Sequence, residues 1–224
     1  MGSGTNIGKQ NRTIRNGVVA LIVAHPDDET LWAGGTVLGH PSWNYFVVCL
    51  CRGSDTERAS KFHNALKALN AEGVMGDLDD GPEQLPLDEF VLENEILNLL
   101  PSIHFDLIIT HSPKGEYTRH LRHEETSRAV LNLWQSGQIS ASELWTFAYE
   151  DGHKKYLPQA VETASIYRVL SKRIWLRKSG IITGIYGFGE GSWEAETTPR
   201  AEAFWRFTNP AEIKKRIKNK GVIL

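Results

Sequence analysis

The run Leu21-Ile22-Val23-Ala24-His25-Pro26-Asp27-Asp28-Glu29 constrains this chain more than any other stretch. A strand-like apolar segment empties into a histidine and three carboxylates within five residues. Burying that much negative charge beside a strand end is costly unless a cation or a hydrogen-bond network compensates it. Pro26 suits the first position of a helix, where its missing N–H costs nothing. A helix starting there sets His25 and Asp28 about one turn apart, able to converge on one point. Asp27 then lies close to that point but free of it. Two ligands beside an unattached carboxylate are the parts that metal-assisted hydrolysis needs.

The rest of the chain alternates strand-like and helix-like runs. Strands are expected over Gly17 to Ala24, Asn44 to Cys51, Val74 to Leu78, Phe105 to Thr110 and Glu143 to Tyr149. Between them, apolar spacing and punctuation predict helices over Thr56 to Glu72, Asp88 to Leu100 and Glu124 to Leu133. This alternation implies an α/β, Rossmann-like fold: one mostly parallel sheet with helices on both faces. Ligands of such sheets bind beyond the carboxyl ends of the strands. His25 to Asp28, Arg52 and the loop from His111 to His123 all follow strand ends, so one sheet edge gathers the chemistry. The aromatic-rich region from Asp151 to Asn209 is less regular and reads as an appended part of the same domain.

A length of 224 residues suits a single domain over 17–224, preceded by a flexible lead-in over 1–16 without a signal-peptide core. A net charge of −2 gives no reason to expect a nucleic acid or membrane surface as partner. The basic residues Lys214, Lys215, Arg216, Lys218 and Lys220 read as the solvated face of a short C-terminal helix. No apolar run approaches the length of an integral membrane segment. Cys49 and Cys51 stand two apart in a strand, where both should face the same side and remain reduced core thiols of a cytoplasmic protein. Gly34-Gly35 is no phosphate-binding fingerprint, because G-x-G-x-x-G is absent after the first strand.

A second cluster lies in Gly115-Glu116-Tyr117-Thr118-Arg119-His120-Leu121-Arg122-His123. Its histidines are three apart and share a face on the first turn of a helix. Because they follow another strand end, the fold should bring them to His25 and Asp28. Several neighbours carry two readings. Glu29 either orients His25 or complements the helix N-terminus. Arg52 binds a substrate hydroxyl or phosphate, or pairs with the Asp27/Asp28/Glu29 carboxylates; we favour substrate. His111 is expected to be a satisfied structural histidine, and Asp79-Asp80 a turn-forming pair rather than a sugar-binding one. Trp32, Tyr117, Trp145, Tyr149, Trp193 and Trp205 offer aromatic surface, most of it expected in the core.

On Ala24-His25-Pro26-Asp27-Asp28-Glu29, on Gly115-Glu116-Tyr117 leading into His120-x-x-His123, and on Arg52-Gly53, the chain resembles the PIG-L/LmbE-like zinc-dependent N-deacetylases. The resemblance spans about residues 18 to 150, and Tyr186-Gly187-Phe188 and Glu202-Ala203-Phe204-Trp205 are similar to the C-terminal portion of some bacterial members. It implies Zn2+ held by His25, Asp28 and His123, with Asp27 as general base and His120 stabilising the oxyanion or protonating the leaving amine. A zinc with three protein ligands keeps a position for water and lowers its pKa toward ~7. That water would attack an acetamide carbonyl. The implied substrate is a small-molecule N-acetylated amino-sugar conjugate of the N-acetylglucosamine type, and self-association is left open. The chain departs from the family pattern at Leu121 and Arg122, where Pro and Asp are common, and at Thr118 and Arg119, where some members have Tyr-Gly. Alternatives from the residues themselves are hydrolysis of another amide or a phosphoester, a non-catalytic metabolite-binding domain, and iron or cobalt in place of zinc.

Overall fold

Residues Val18–Val23 form the first strand, β1, and burial on both its sides sets it in the middle of a sheet. Val19, Leu21 and Val23 face one apolar layer, Ala20 and Ile22 the other. The computed structural model describes residues 16–213. After β1 come α1 (Asp28–Gly39), β2 (Asn44–Cys51), α2 (Thr56–Leu69), β3 (Glu72–Leu78), α3 (Glu89–Leu99), β4 (His104–Thr110), α4 (Leu121–Ser136) and β5 (Ser140–Phe147). The later part adds β6 (Tyr149–Glu150), β7 (Gln159–Ala160), β8 (Ile166–Val169), α5 (Lys172–Gly180), a π-helical turn (Ile181–Ile185), α6 (Trp193–Thr197) and β9 (Ala201–Phe207).

The main sheet runs β3-β2-β1-β4-β5-β9-β8. Its first five strands are parallel, β9 is antiparallel to β5, and β8 is antiparallel to β9. The expected α/β class and mostly parallel sheet hold. Leu31 and Trp32 of α1 and Phe62, Ala65 and Leu66 of α2 pack on the layer of Leu21. Leu92 and Ile96 of α3 and Val130 and Leu133 of α4 pack on the layer of Ile22. Full burial of a large apolar side chain such as Phe62 contributes about 1.5–3 kcal/mol, and these two layers hold the sheet between them. Strand order reverses between β1 and β4, which opens a crevice beyond their carboxyl ends.

Several boundaries differ from the expectation, each for a local reason. Helix α1 begins at Asp28, not Pro26, which lies in a turn closed by the Asp28 N–H to the His25 carbonyl (3.3 Å). The helix of the second histidine pair begins at Leu121 rather than Glu124, so His120 is its N-cap. Helix α2 stops at Leu69 because Asn70 turns left-handed (φ 55°) and frees Glu72 to start β3. Cys49 and Cys51 do not share a side: Cys49 lies in the layer of α1 and α2, Cys51 in that of α3 and α4. A register shift between them against β3 breaks the alternation; both thiols are buried and free. The lead-in and the C-terminal basic residues fall at or beyond the ends of the described residues. Among the described residues no helix is long and apolar enough to cross a membrane.

Candidate metal and catalytic site

At the crevice, β1 delivers His25, the start of α1 delivers Asp28, and the first turn of α4 delivers His123. His25 Nδ1 lies 3.2 Å from His123 Nε2, and Asp28 Oδ2 lies 3.3 Å from each. The remaining polar atoms of these side chains are already engaged. His25 Nε2 meets Asp80 Oδ1 at 3.1 Å, and His123 Nδ1 meets Glu116 Oε2 at 2.6 Å. A carboxylate only accepts, so each imidazole donates its proton outward and turns a lone pair inward. Two imidazole lone pairs and a carboxylate oxygen therefore face one point.

Tetrahedral zinc with bonds of about 2.0–2.1 Å needs donor atoms roughly 3.4 Å apart. The observed edges of 3.2 and 3.3 Å fit that requirement with little adjustment. The pull for positive charge also shows in titration. Burial works against charge on His25, yet its bonds to Asp28 and Asp80 outweigh it and raise its pKa. Burial likewise opposes charge on Glu116, but His111 and His123 bring its carboxyl down to about 2.

His111 is the satisfied structural histidine expected, though it lines the same cluster. Its Nε2 accepts the Ala24 N–H (3.0 Å) and its Nδ1 donates to Glu116 Oε2 (2.8 Å). Among the described residues, donor atoms of His25, His120 and His123 converge, as do those of Asp28, His111 and His123. The Ala24 N–H occupies the His111 lone pair, which leaves the group at His25, His120 and His123, with Asp28 Oδ2 3.3 Å from the His25 and His123 nitrogens.

Asp27 is the N-cap of α1, but its side chain caps nothing, and its backbone sits at φ 126°, ψ −28°. Such a conformation costs about 1–3 kcal/mol and persists only when the surroundings impose it. Glu29 imposes it: Oε2 accepts the Asp27 N–H (3.0 Å), while Oε1 accepts the hydroxyls of Thr30 (2.5 Å) and Tyr186 (2.8 Å). Glu29 thus holds the Asp27 backbone and does not orient His25. Burial raises the Asp27 carboxyl well above the usual range, and the charges of Asp28 and Glu29 add to it. Arg58 Nη1 stands 3.4 Å from Asp27 Oδ2.

His120 stacks on His123 with centroids 4.3 Å apart and meets His25 edge-on at 4.6 Å. Burial, then the charges of His123 and His25, pull its pKa down to about 3, so the ring is neutral. Its Nδ1 is buried with no hydrogen-bond partner among the described residues. Arg52 reaches neither Asp27, Asp28 nor Glu29; its guanidinium pairs with Asp80 Oδ2 at 2.9 Å and is half exposed. Asp80 therefore belongs to the site and is no mere turn residue. The available hint was its position directly after β3, at the same sheet edge as His25. Glu116 and Arg58 were likewise missed.

These groups line a cleft of about 180 Å³ walled by Tyr117, Trp32 and Trp193. Trp193, 37% exposed, meets Tyr117 edge-on at 4.8 Å. A neighbouring groove of about 670 Å³ shares Arg52, Asp80 and His120 with it.

Comparison with known proteins bears on the same segment. The family model described as PIG-L, GlcNAc-PI de-N-acetylase, matches residues 20–134. The chain belongs to the PIG-L family. An uncharacterized protein of Acanthamoeba polyphaga mimivirus is 25% identical over 189 residues, covering 77% of this chain and 80% of its own. Among solved structures, N,N'-diacetylchitobiose deacetylase from Pyrococcus horikoshii has a TM-score of 0.64 at 16% identity, covering 85% of this chain and 84% of that one. A 4-carboxy-2-hydroxymuconate hydratase from Pseudomonas putida has a TM-score of 0.60 at 16% identity, covering 86% and 96%. At these identities the two structures speak for the fold. The PIG-L match over residues 20–134 supports an N-deacetylase-type hydrolase.

Proposed function

We propose that this PIG-L protein is a zinc-dependent hydrolase that removes the N-acetyl group of an N-acetylglucosamine-type conjugate. The observation that carries the reading is the inward-facing set of His25 Nδ1, Asp28 Oδ2 and His123 Nε2 beside the unattached carboxyl of Asp27. Zinc held by those three atoms supplies a Lewis acid and a water acidified toward ~7. Asp27, whose carboxyl is not one of the three inward-facing ligand atoms, takes the proton of the attacking water. Glu29 and Tyr186 keep Asp27 in its strained pose through the reaction. His120, neutral, supports the developing oxyanion by hydrogen bonding rather than as a cation. Proton return to the leaving amine falls to Asp27 or His120. The products are acetate and a free amine.

The cleft takes the acetamido group and adjoining ring, and the conjugate extends along the neighbouring groove past Arg52. Trp193 offers an apolar face to the sugar at the mouth. Burial of both thiols in reduced form accords with a cytoplasmic enzyme. A phosphoesterase with two metals is disfavoured because the Ala24 N–H uses the His111 lone pair. The test is acetate release from N-acetylglucosamine conjugates with and without chelator. Chelator-sensitive release supports the reading; no release from a zinc-loaded protein overturns the N-acetyl assignment.

A further inference from the structure

We infer that Arg122, one residue before His123, is a positioning residue that sets the zinc site through the loop carrying Asp80; this rests on the proposed zinc reading. The Arg122 guanidinium is 1% exposed on the first turn of α4. Its fork does not face the cleft. Nε donates to the Asp79 carbonyl (2.6 Å), and Nη2 to the Leu85 carbonyl (2.8 Å) and to Asp79 Oδ2 (3.3 Å). Nη1 donates to Glu125 Oε2 (2.6 Å), whose other oxygen accepts the Leu87 N–H (3.0 Å). The Arg122–Glu125 pair thus grips the backbone of the loop at Asp79, Leu85 and Leu87.

That loop presents Asp80 to His25. Asp80 Oδ1 accepts a hydrogen bond from His25 Nε2 at 3.1 Å, and Gln84, from the same loop, donates to the same oxygen at 3.0 Å. With the loop released, nothing fixes which nitrogen of His25 carries the proton, and Nδ1 no longer has to turn its lone pair inward. A single turn of α4 therefore supplies one ligand directly, His123, and sets the tautomer of the other at a distance. Such outer partners are worth about 10- to 100-fold in metal affinity. A lysine cannot reproduce the grip, since a fork of fixed geometry is needed to reach four acceptor atoms at once.

The test titrates zinc alone against a competing chelator on the full chain, for wild type, Arg122→Lys, Asp80→Asn and the double variant. Arg122→Lys is expected to weaken zinc binding about 10- to 100-fold, as Asp80→Asn does. The double variant should lose no more than Asp80→Asn alone, because both act through one contact. Additive losses, or Arg122→Lys binding zinc as tightly as wild type, overturn the inference. Should Arg122→Lys fail to fold, Glu125→Gln weakens the same grip more mildly and is expected to lower zinc affinity in the same direction; unchanged affinity there overturns it too. Wild type that binds no zinc would instead overturn the metal reading itself.

Discussion

Helix α1 bears on two buried charge clusters, one at its first residue and one at its middle, and they are closed in different ways. At the middle, Glu202 of β9 accepts the Gly35 N–H (2.7 Å), the Thr36 N–H (2.6 Å) and the Thr36 hydroxyl (2.7 Å), and it pairs with Lys178 of α5 at 2.7 Å. Both charged side chains are fully buried. The cation and every donor come from the chain, so the cluster is complete. At the N-terminal end, Asp28 meets three histidine nitrogens and the Trp32 indole (2.9 Å), and among the described residues no Lys or Arg faces the two lone pairs beside it. A closed cluster holds elements together; an open one of the same burial holds a place for something else. Leu170 and Glu202 together account for Gly35, where a Cβ would meet them at 2.4 and 2.9 Å.

The comparison is broken most severely at the proposed base. Asp27→Asn should lower turnover about 10²- to 10⁴-fold while zinc per chain stays constant. Steady-state rates with elemental analysis on the same sample check this, and full turnover would remove Asp27 from the role. In the closed cluster, Lys178→Met leaves a buried carboxylate without its cation and should cost about 3–5 kcal/mol of stability with no specific effect on zinc affinity. Denaturant unfolding measures it; pairing the change with Glu202→Gln should recover part of the loss. A Lys178→Met protein as stable as wild type would mean that the two clusters are not different in kind. The smallest effect is expected at the cleft mouth. Trp193→Ala should raise KM with little change in kcat, by a factor matching the about 0.5–1.5 kcal/mol of an aromatic contact. A fall in kcat alone would place Trp193 in the chemistry instead.

The parts legible in the sequence were those whose partners lie close along the chain or on a repeating pattern. The apolar run before His25 announced a central strand, and the spacing of His120 and His123 announced a shared face. What escaped reading depends on partners far away. Asp80 resembles a turn residue until β3 and β1 are set on either side of β2, which brings it to His25 across 55 positions. Arg122 and Asp79 are 43 apart, and Glu202 and Gly35 are 167 apart. The side assigned to Cys51 failed for another reason: alternation along a strand holds only without a bulge, and apolar pattern alone does not reveal one. Glu116 stood within the quoted motif, yet its work of fixing both His111 and His123 needs the strand end and the helix start folded together.

The most direct test of the open cluster is zinc per chain, measured by elemental analysis after dialysis, for wild type and His123→Ala. One zinc per wild-type chain and almost none in a folded His123→Ala protein is the expected result. Equal zinc in both would show that the three inward-facing atoms are not the site, and the contrast between the two clusters would fall with them.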